Sequence, residues 1–312
     1  MNYRSPPQKH RKALRLAALF FTFLFAIKSY ARPDMTPLGP NIADKGSSFY
    51  HFSVNKFDSA DGKRHYKVWT GVPNKTPPPS GFPILYLLDG NAVMDRVSEP
   101  LLKKLSEDNP PVIVAVGYQT VEPFELNARS FDYTPPVTES GKQCQQQRSR
   151  ECGGSLIFRH LLEETIAPVA EQGLKIDQRK RGIWGHSLGG IYVLNAYLSS
   201  SLFTLFYSTS PTLNREYVGL LKTLGAVNRE QYGNKQLWFI EGSPASSKNP
   251  QAPAADVQDK IRATLSLLHT DGLPAIYWSH PELTHGQTFN VGFQQALLNM
   301  AEDPTRNGPS LR

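Results

Sequence analysis

The strongest chemical signal in the chain is a run of five residues, Gly185-His186-Ser187-Leu188-Gly189, with Gly190 immediately beyond. A serine placed on a sharp strand-to-helix turn is a candidate nucleophile. The turn forces it into a strained backbone conformation, and the flanking glycines keep side chains clear of crossing backbone. Such a turn also sets Ser187 at the start of a helix, where unpaired N–H groups face a developing oxyanion. The chemistry implied is acyl transfer from a carbonyl. The bare motif recurs by chance, but here apolar Ile183 and Trp184 precede it and an apolar helical stretch follows. The competing reading, a glycine-rich turn whose serine merely caps a helix, leaves unexplained a histidine in the expected later position.

A serine hydroxyl needs a base to take its proton. His280 and His285 both follow the last apolar strand, and His285 is better placed because it precedes Gly286 and opens the final helical stretch. His280 reads as structural, and His186 as a packing residue aimed away from the nucleophile. The oxyanion hole should pair the Leu188 N–H with one from the Asp89-Gly90-Asn91 turn, where the Asn91 amide is the expected donor. Asp89 reads as a cap for that turn. The third member is open: Glu241 is either an acid orienting His285 or a turn residue, and a dyad of Ser187 and His285 is the alternative. No residue spacing suggests a metal site or a bound cofactor.

Placing these groups requires an alternating fold. Residues 50–57 and 65–72 read as a strand pair turning at Asp61-Gly62. The apolar runs 83–88 and 111–116 read as strands buried on both faces, with a helix over 92–105 between them and hence a parallel pair. Residues 119–154 show no periodicity and read as a long loop. A helix over 155–172 with Ser155 as N-cap, a strand over 181–184 and a helix over 187–198 follow. Strands over 202–208, 236–240 and 275–278 alternate with helices over 216–224, 257–269 and 288–300. This is an α/β architecture, a mostly parallel sheet with helices on both faces, and its elbow is that of the α/β-hydrolase fold. The expected layout is an N-terminal export segment over 1–31, one catalytic domain over 32–303 and a flexible tail over 304–312.

The net charge of +7 at first suggests a nucleic-acid partner, but its distribution excludes one. Six of the 34 basic residues and none of the 27 acidic ones fall within residues 1–31, leaving 28 against 27 in the rest. A basic stretch ending at Arg15, an apolar run over 16–27, and Ser29 and Ala31 before a cleavage position have the layout of a signal peptide. The apolar run is shorter than the roughly 20 residues that span a bilayer. It is either removed after Ala31 or retained as an inner-membrane anchor. Either outcome places the domain in the periplasm. The two cysteines, Cys144 and Cys152, lie in a polar stretch and form either a local disulfide or two free thiols.

Beyond the elbow, the runs Tyr86-Leu-Leu-Asp-Gly-Asn-Ala-Val-Met-Asp-Arg96, Val112-Ile-Val-Ala-Val-Gly-Tyr-Gln-Thr120 and Gly182-Ile-Trp-Gly-His-Ser187 resemble the siderophore esterases. The likeness extends over almost the whole chain. It implies hydrolysis of catecholate siderophore trilactones of the enterobactin and salmochelin type, free or ferric, by a Ser187–His285 dyad without an acid, which turns Glu241 toward a structural role. It also implies that Arg129, in Asn127-Ala-Arg-Ser-Phe-Asp-Tyr133, contacts the substrate. A guanidinium beside Phe131 and Tyr133 can pair with catecholate oxygens and stack. On its residues alone, Arg129 would be a solvated loop charge. The chain departs from these relatives mainly over 144–152, which bears on the substrate-facing loop and on the choice between glucosylated and plain trilactones. The competing functions are a general carboxylesterase or acyltransferase on the same fold, and a non-catalytic siderophore-binding protein.

Overall fold

The computed structural model describes residues 33–136, 144, 150–213, 217–246 and 254–302. The expected export segment over 1–31 and the tail over 304–312 lie outside the described residues, as do parts of the 119–154 stretch. The chain divides into two units, Met1–Arg32 and Pro33–Arg312. Among the described residues no helix is long and apolar enough to cross a membrane.

Eight strands form one sheet in the order β1-β2-β4-β3-β5-β6-β7-β8. They are β1 (Tyr50–Asp58), β2 (His65–Pro73), β3 (Phe82–Leu88), β4 (Val112–Tyr118), β5 (Ile176–His186), β6 (Leu205–Thr209), β7 (Gln236–Glu241) and β8 (Ala275–Ser279). The β1–β2 hairpin and the β2–β4 pair are antiparallel. From β4 through β3, β5, β6, β7 and β8 every pairing is parallel. All parallel strands therefore end on one edge, where ligand sites of open α/β sheets form.

Strand alternation divides the core between the two faces. Ile84, Tyr86, Leu88 and Ile183 pack on one face, whereas Leu85, Leu87 and Trp184 pack on the other. This explains why β3 and β4 read as unbroken apolar runs: every residue in both is buried. The second face is covered by α1 (Gly90–Arg96), α2 (Glu99–Ser106) and a long C-terminal helix, Gln287–Ala301.

Three helical expectations need correction. The single helix expected over 92–105 is two, α1 and α2, because Ser98 caps the second through the Leu101 N–H and Pro100 sits in its first turn. Proline lacks the N–H that would continue the first helix and clashes with the turn before it. The stretch 119–154 is not all loop: it holds α3 (Leu126–Asp132), capped by Glu125, which accepts from the Ala128 N–H. Its seven residues are too few for an apolar period, and its buried set includes Arg129, Ser130 and Asp132. The helix expected over 155–172 runs as α4 (Ser155–Leu161), a π-helical turn over Leu162–Ile166 and α5 (Ala167–Ala170). Pro168 cannot donate to the preceding turn, and the wider π register absorbs the loss. Ser155 is the first helical residue; Gly154 is the cap.

The remaining long helices are α6 (Leu188–Ser199), α7 (Ala255–Thr270) and α8 (Gln287–Ala301), each close to its expected bounds. Cys144 and Cys152 are disulfide-bonded, with Cα atoms 6.0 Å apart.

Candidate active site

Three non-glycine residues among those described have positive φ: Asp89 (55°), Ser187 (60°) and Ser210 (40°). Each immediately follows a strand, β3, β5 or β6. Backbone held in sparsely populated conformations costs on the order of 1–3 kcal/mol per residue and persists only where surroundings enforce it. At Ser187 the enforcement is explicit. Its N–H donates to the Thr209 carbonyl at 3.0 Å, and its own carbonyl accepts from the Thr212 N–H at 3.2 Å. The glycines do what the motif requires of them. A Cβ on Gly185 would lie 2.3 Å from the Gly189 carbonyl oxygen, and one on Gly190 would press on Thr209 and Pro211 at 3.0 Å.

Ser187 stands at the start of α6, so the Leu188 N–H lies in the first turn, where no intrahelical partner exists. Across the β3–β5 pairing, α1 starts directly after Asp89 and brings the Asn91 N–H into its own first turn. The two helix N-termini expected to form the oxyanion hole thus stand at the ends of adjacent strands. The Asn91 side chain has a separate task. Its Oδ1 accepts from the Tyr118 N–H (2.8 Å), and its Nδ2 donates to the carbonyls of Tyr118 and Thr120 (3.0 Å each). These bonds tie the end of β4 to α1.

His285 is buried two residues before α8. Its carbonyl accepts from His186 Nε2 at 2.8 Å and from the Thr288 hydroxyl at 2.7 Å, and Ser210 donates to Thr288 at 2.9 Å. The His186 and His285 rings pack with centroids 4.7 Å apart. The His285 loop is therefore tied to His186, the residue next to Ser187. Burial first, and the nearby Arg129 charge second, push the His285 imidazole down to about 4. His285 is thus neutral at pH 7, the form a general base requires. His280 bonds Gln295 Oε1 at 2.9 Å, a structural contact.

Two expectations about charge are corrected. Arg129 is not a solvated loop charge: it lies on α3, 9% exposed, and its Nε and Nη2 bond the two carboxylate oxygens of Asp89 at 2.8 Å each. Burial opposes its charge, but Asp89 outweighs that and holds the guanidinium above its ordinary value. Asp89 in turn makes no side-chain cap bond; its carboxylate is committed to Arg129. Tyr133 offers no aromatic surface to a ligand either, being fully buried with its hydroxyl accepting from the Asp89 N–H at 3.1 Å. Phe131 instead stacks under the Arg64 guanidinium, 4.2 Å from its ring centre.

Glu241 ends β7 fully buried, and neither carboxylate oxygen has a hydrogen-bond partner among the described residues. Burial raises it to about 8. A carboxyl that keeps its proton to that pH supplies little negative charge at neutrality, and it makes no hydrogen bond to His285. The acid reading of Glu241 is not supported by this geometry. Among the described residues no group of three His, Cys, Asp or Glu is arranged to hold a metal.

One site residue was not legible in the sequence. The Ser187 Oγ hydrogen-bonds the Thr212 hydroxyl at 2.8 Å. Thr212 follows β6, and only the β5–β6 pairing brings it to the elbow. This bond must give way before any base can take the serine proton. Thr212→Val should therefore raise the second-order rate of acylation by an activated aryl ester about fivefold, the worth of one neutral hydrogen bond. Stopped-flow acylation measures it; a slower variant would show instead that the threonine positions the serine productively.

Comparison with known proteins agrees with this geometry. A family described as putative esterase matches residues 59–279. The apo-salmochelin esterase of Escherichia coli is 52% identical over 300 residues, 94% of each chain. The ferri-bacillibactin esterase BesA of Bacillus subtilis is 30% identical over 255 residues, covering 78% of this chain and 87% of the relative. The solved structure of the enterobactin hydrolase IroE in complex with DFP is 54% identical, with a TM-score of 0.76 over 85% of this chain and 100% of that one. With the family model spanning residues 59–279 and 52% identity to the apo-salmochelin esterase over 94% of the chain, the chain belongs to this esterase family, among the siderophore esterases of the α/β-hydrolase type.

Proposed function

We propose that the chain cleaves the ester bonds of catecholate siderophore trilactones, of the kind that the enterobactin- and salmochelin-hydrolysing relatives are named for, using Ser187 and His285 as a dyad. The observation that carries this reading is the strained Ser187 at the start of α6, with the neutral His285 ring packed on that of its neighbour His186.

In the first half-reaction Ser187 Oγ attacks the lactone carbonyl while His285 accepts its proton. The N–H groups of Leu188 and Asn91 hold the oxyanion. Collapse breaks the carbonyl–oxygen bond, and the imidazolium returns the proton to the departing alkoxide. In the second half, His285 takes a proton from water as it attacks the acyl-enzyme; collapse breaks the carbonyl–Oγ bond, the imidazolium returns the proton to Ser187 Oγ, and the acid is released. No carboxylate partner is required: the two bonds to the His285 carbonyl fix its loop, and the imidazolium lasts only as long as each transfer. Arg129 retains N–H donors beyond those given to Asp89, so it can pair with an anionic catecholate without losing its own counter-charge.

The domain acts in the periplasm, delivered by residues 1–31, which serve as a cleaved signal or an inner-membrane anchor. The supporting feature is the basic-then-apolar layout of that segment. The catalytic reading is tested by incubating purified protein with enterobactin and its glucosylated counterpart and following products by mass spectrometry. Linear products, each heavier by one water, should appear with wild type and not with Ser187→Ala. Equal rates for the two proteins would refute the assignment.

A further inference from the structure

Glu241 is a fully buried carboxyl to which the dyad mechanism gives no task. Its place in β7 decides what it faces. Leu237 and Phe239 pack in the core layer with α7, while Trp238 and Ile240 pack in the layer with α8, so strand alternation sends Glu241 to the α7 side. There α7 presents Gln258, Asp259 and Arg262, and β8 presents Tyr277. Gln258 Nε2 donates to the Gly242 carbonyl at 3.1 Å, and Arg262 pairs with Asp259 at 2.6 Å and lies over the Tyr277 ring at 5.5 Å. On the other side of β7, Ser210 turns its hydroxyl to Thr288. The His280 ring turns to Gln295 and Glu282. Neither Glu241 oxygen has a hydrogen-bond partner among the described residues.

The same strand end braces the segment that leads into His285. The Glu241 carbonyl accepts from the His280 N–H at 2.7 Å, and Ser243 donates its N–H and its hydroxyl to the Leu283 carbonyl at 2.8 and 2.9 Å. Between them Gly242 lies so close that a Cβ there would stand 2.5 Å from the Leu283 oxygen and 2.8 Å from Thr288 Cγ2. Leu283 is two residues before His285, and the Thr288 hydroxyl bonds the His285 carbonyl. A displacement at 241 therefore has no slack in which to dissipate. An ionised carboxylate is not sustained in such a place without a partner. The group accordingly keeps its proton at neutrality, raised to about 8 by burial and drawn down by Arg262. Once ionised it must admit water or draw in Arg262, and either event moves the end of β7 against Gly242.

We propose that Glu241 is a positioning residue for His285: its uncharged carboxyl allows the end of β7 to clamp the histidine loop, and its ionisation loosens that clamp and switches the hydrolase off on the alkaline side. It acts through the loop and not by a bond to the imidazole. The proposal rests on the dyad reading above and is independent of which ester is the substrate.

The test is kcat/KM against pH on a neutral aryl ester that does not itself titrate, with the Ser187→Ala background subtracted. Wild type should lose about tenfold per pH unit above a limb near 8. Glu241→Gln keeps the shape without the titrating proton, so the ratio of its alkaline to its neutral rate should stay within about twofold of one. Arg262→Glu, at a half-exposed position, removes the charge that favours the anion and should move the limb upward, which keeps the test open if the glutamine variant does not fold. Melting temperatures read the proton itself. The unfolded chain releases it above 4.5 and the folded chain holds it to about 8, so Glu241 weakens the fold progressively across that window and no further beyond it. The difference between Glu241→Gln and wild type should move in the variant's favour over the same window. An alkaline limb unchanged in Glu241→Gln would overturn the proposal and pass the limb to another group, such as Lys235 at the far end of α6, which burial brings down to about 8. A limb that Arg262→Glu leaves in place, or a wild type with none, would overturn it too. If His285→Ala matches wild type, the dyad reading fails instead, which is a separate result.

Discussion

Replacing His285 with alanine should lower kcat/KM on any ester substrate by roughly 10⁴-fold or more, the scale seen when the base of a serine hydrolase is removed. The melting temperature should move far less, because the bonds that anchor this loop go to the His285 carbonyl and survive the substitution. The wild-type pH profile tests the same assignment without a mutation. His285 works as a base only when neutral, and burial together with the Arg129 charge lowers it from 6.5 to about 4. Protonation is therefore the inactivating event, so activity is retained from neutrality downward and lost only as pH falls through about 4. Arg129→Gln removes the second of these causes and leaves the first. Its acid limb should shift upward yet stay below 6.5, the ordinary imidazole value. An acid limb near 6.5 in wild type would mean that another group is the base.

The largest effect on stability should come from Asp89→Ala. The Asp89 carboxylate is completely buried and the Arg129 side chain is 11% exposed, so removing the acid strands a guanidinium with nothing to compensate it. Breaking one side of a buried pair costs about 3–5 kcal/mol. For a domain of this size that is a fall in melting temperature on the order of 10 °C. The double variant Asp89→Ala/Arg129→Met removes both charges and should recover much of the loss, since an apolar replacement leaves no stranded ion. It should still hydrolyse simple aryl esters while losing affinity for an anionic catecholate. Thermal melts of the single and double variants decide the point, and a double variant no more stable than the single would show that the pair is not the source of the cost.

Local chemistry was readable in the sequence; long-range company was not. Gly185, Ser187 and Gly189 announced the elbow because the requirement is steric and confined to adjacent residues. β3 and β4 were legible because burial on both faces leaves unbroken apolar runs. His285 was singled out by its order before the last helix. The burial and pairing of Arg129 could not be read, because its partner Asp89 is 40 residues away and α3 is too short for any period. Thr212 escaped for the same reason: it meets Ser187 only through the pairing of β5 with β6. The helix breaks at Pro100 and Pro168 were legible in principle, and each follows from proline's missing N–H. Position alone left Glu241 open between a triad acid and a structural residue, and its burial and lack of partners among the described residues favour the structural reading.

The three strained strand ends also bear on the order in which the molecule assembles. The amide of Ser187 is held by Thr209, that of Ser210 by Ile240 and that of Asp89 by the Tyr133 hydroxyl, so each kink is secured by a segment distant in sequence. None of these turns can lock until its distant partner has docked, a neighbouring strand for Ser187 and Ser210 and the end of α3 for Asp89, because non-local contacts must form before they can offset local strain. Catalytic competence should therefore be among the last properties to appear on refolding. Partly folded chains with a formed sheet centre but an undocked β6–β7 region would carry the full motif and no activity, which makes ester turnover a reporter of completed folding.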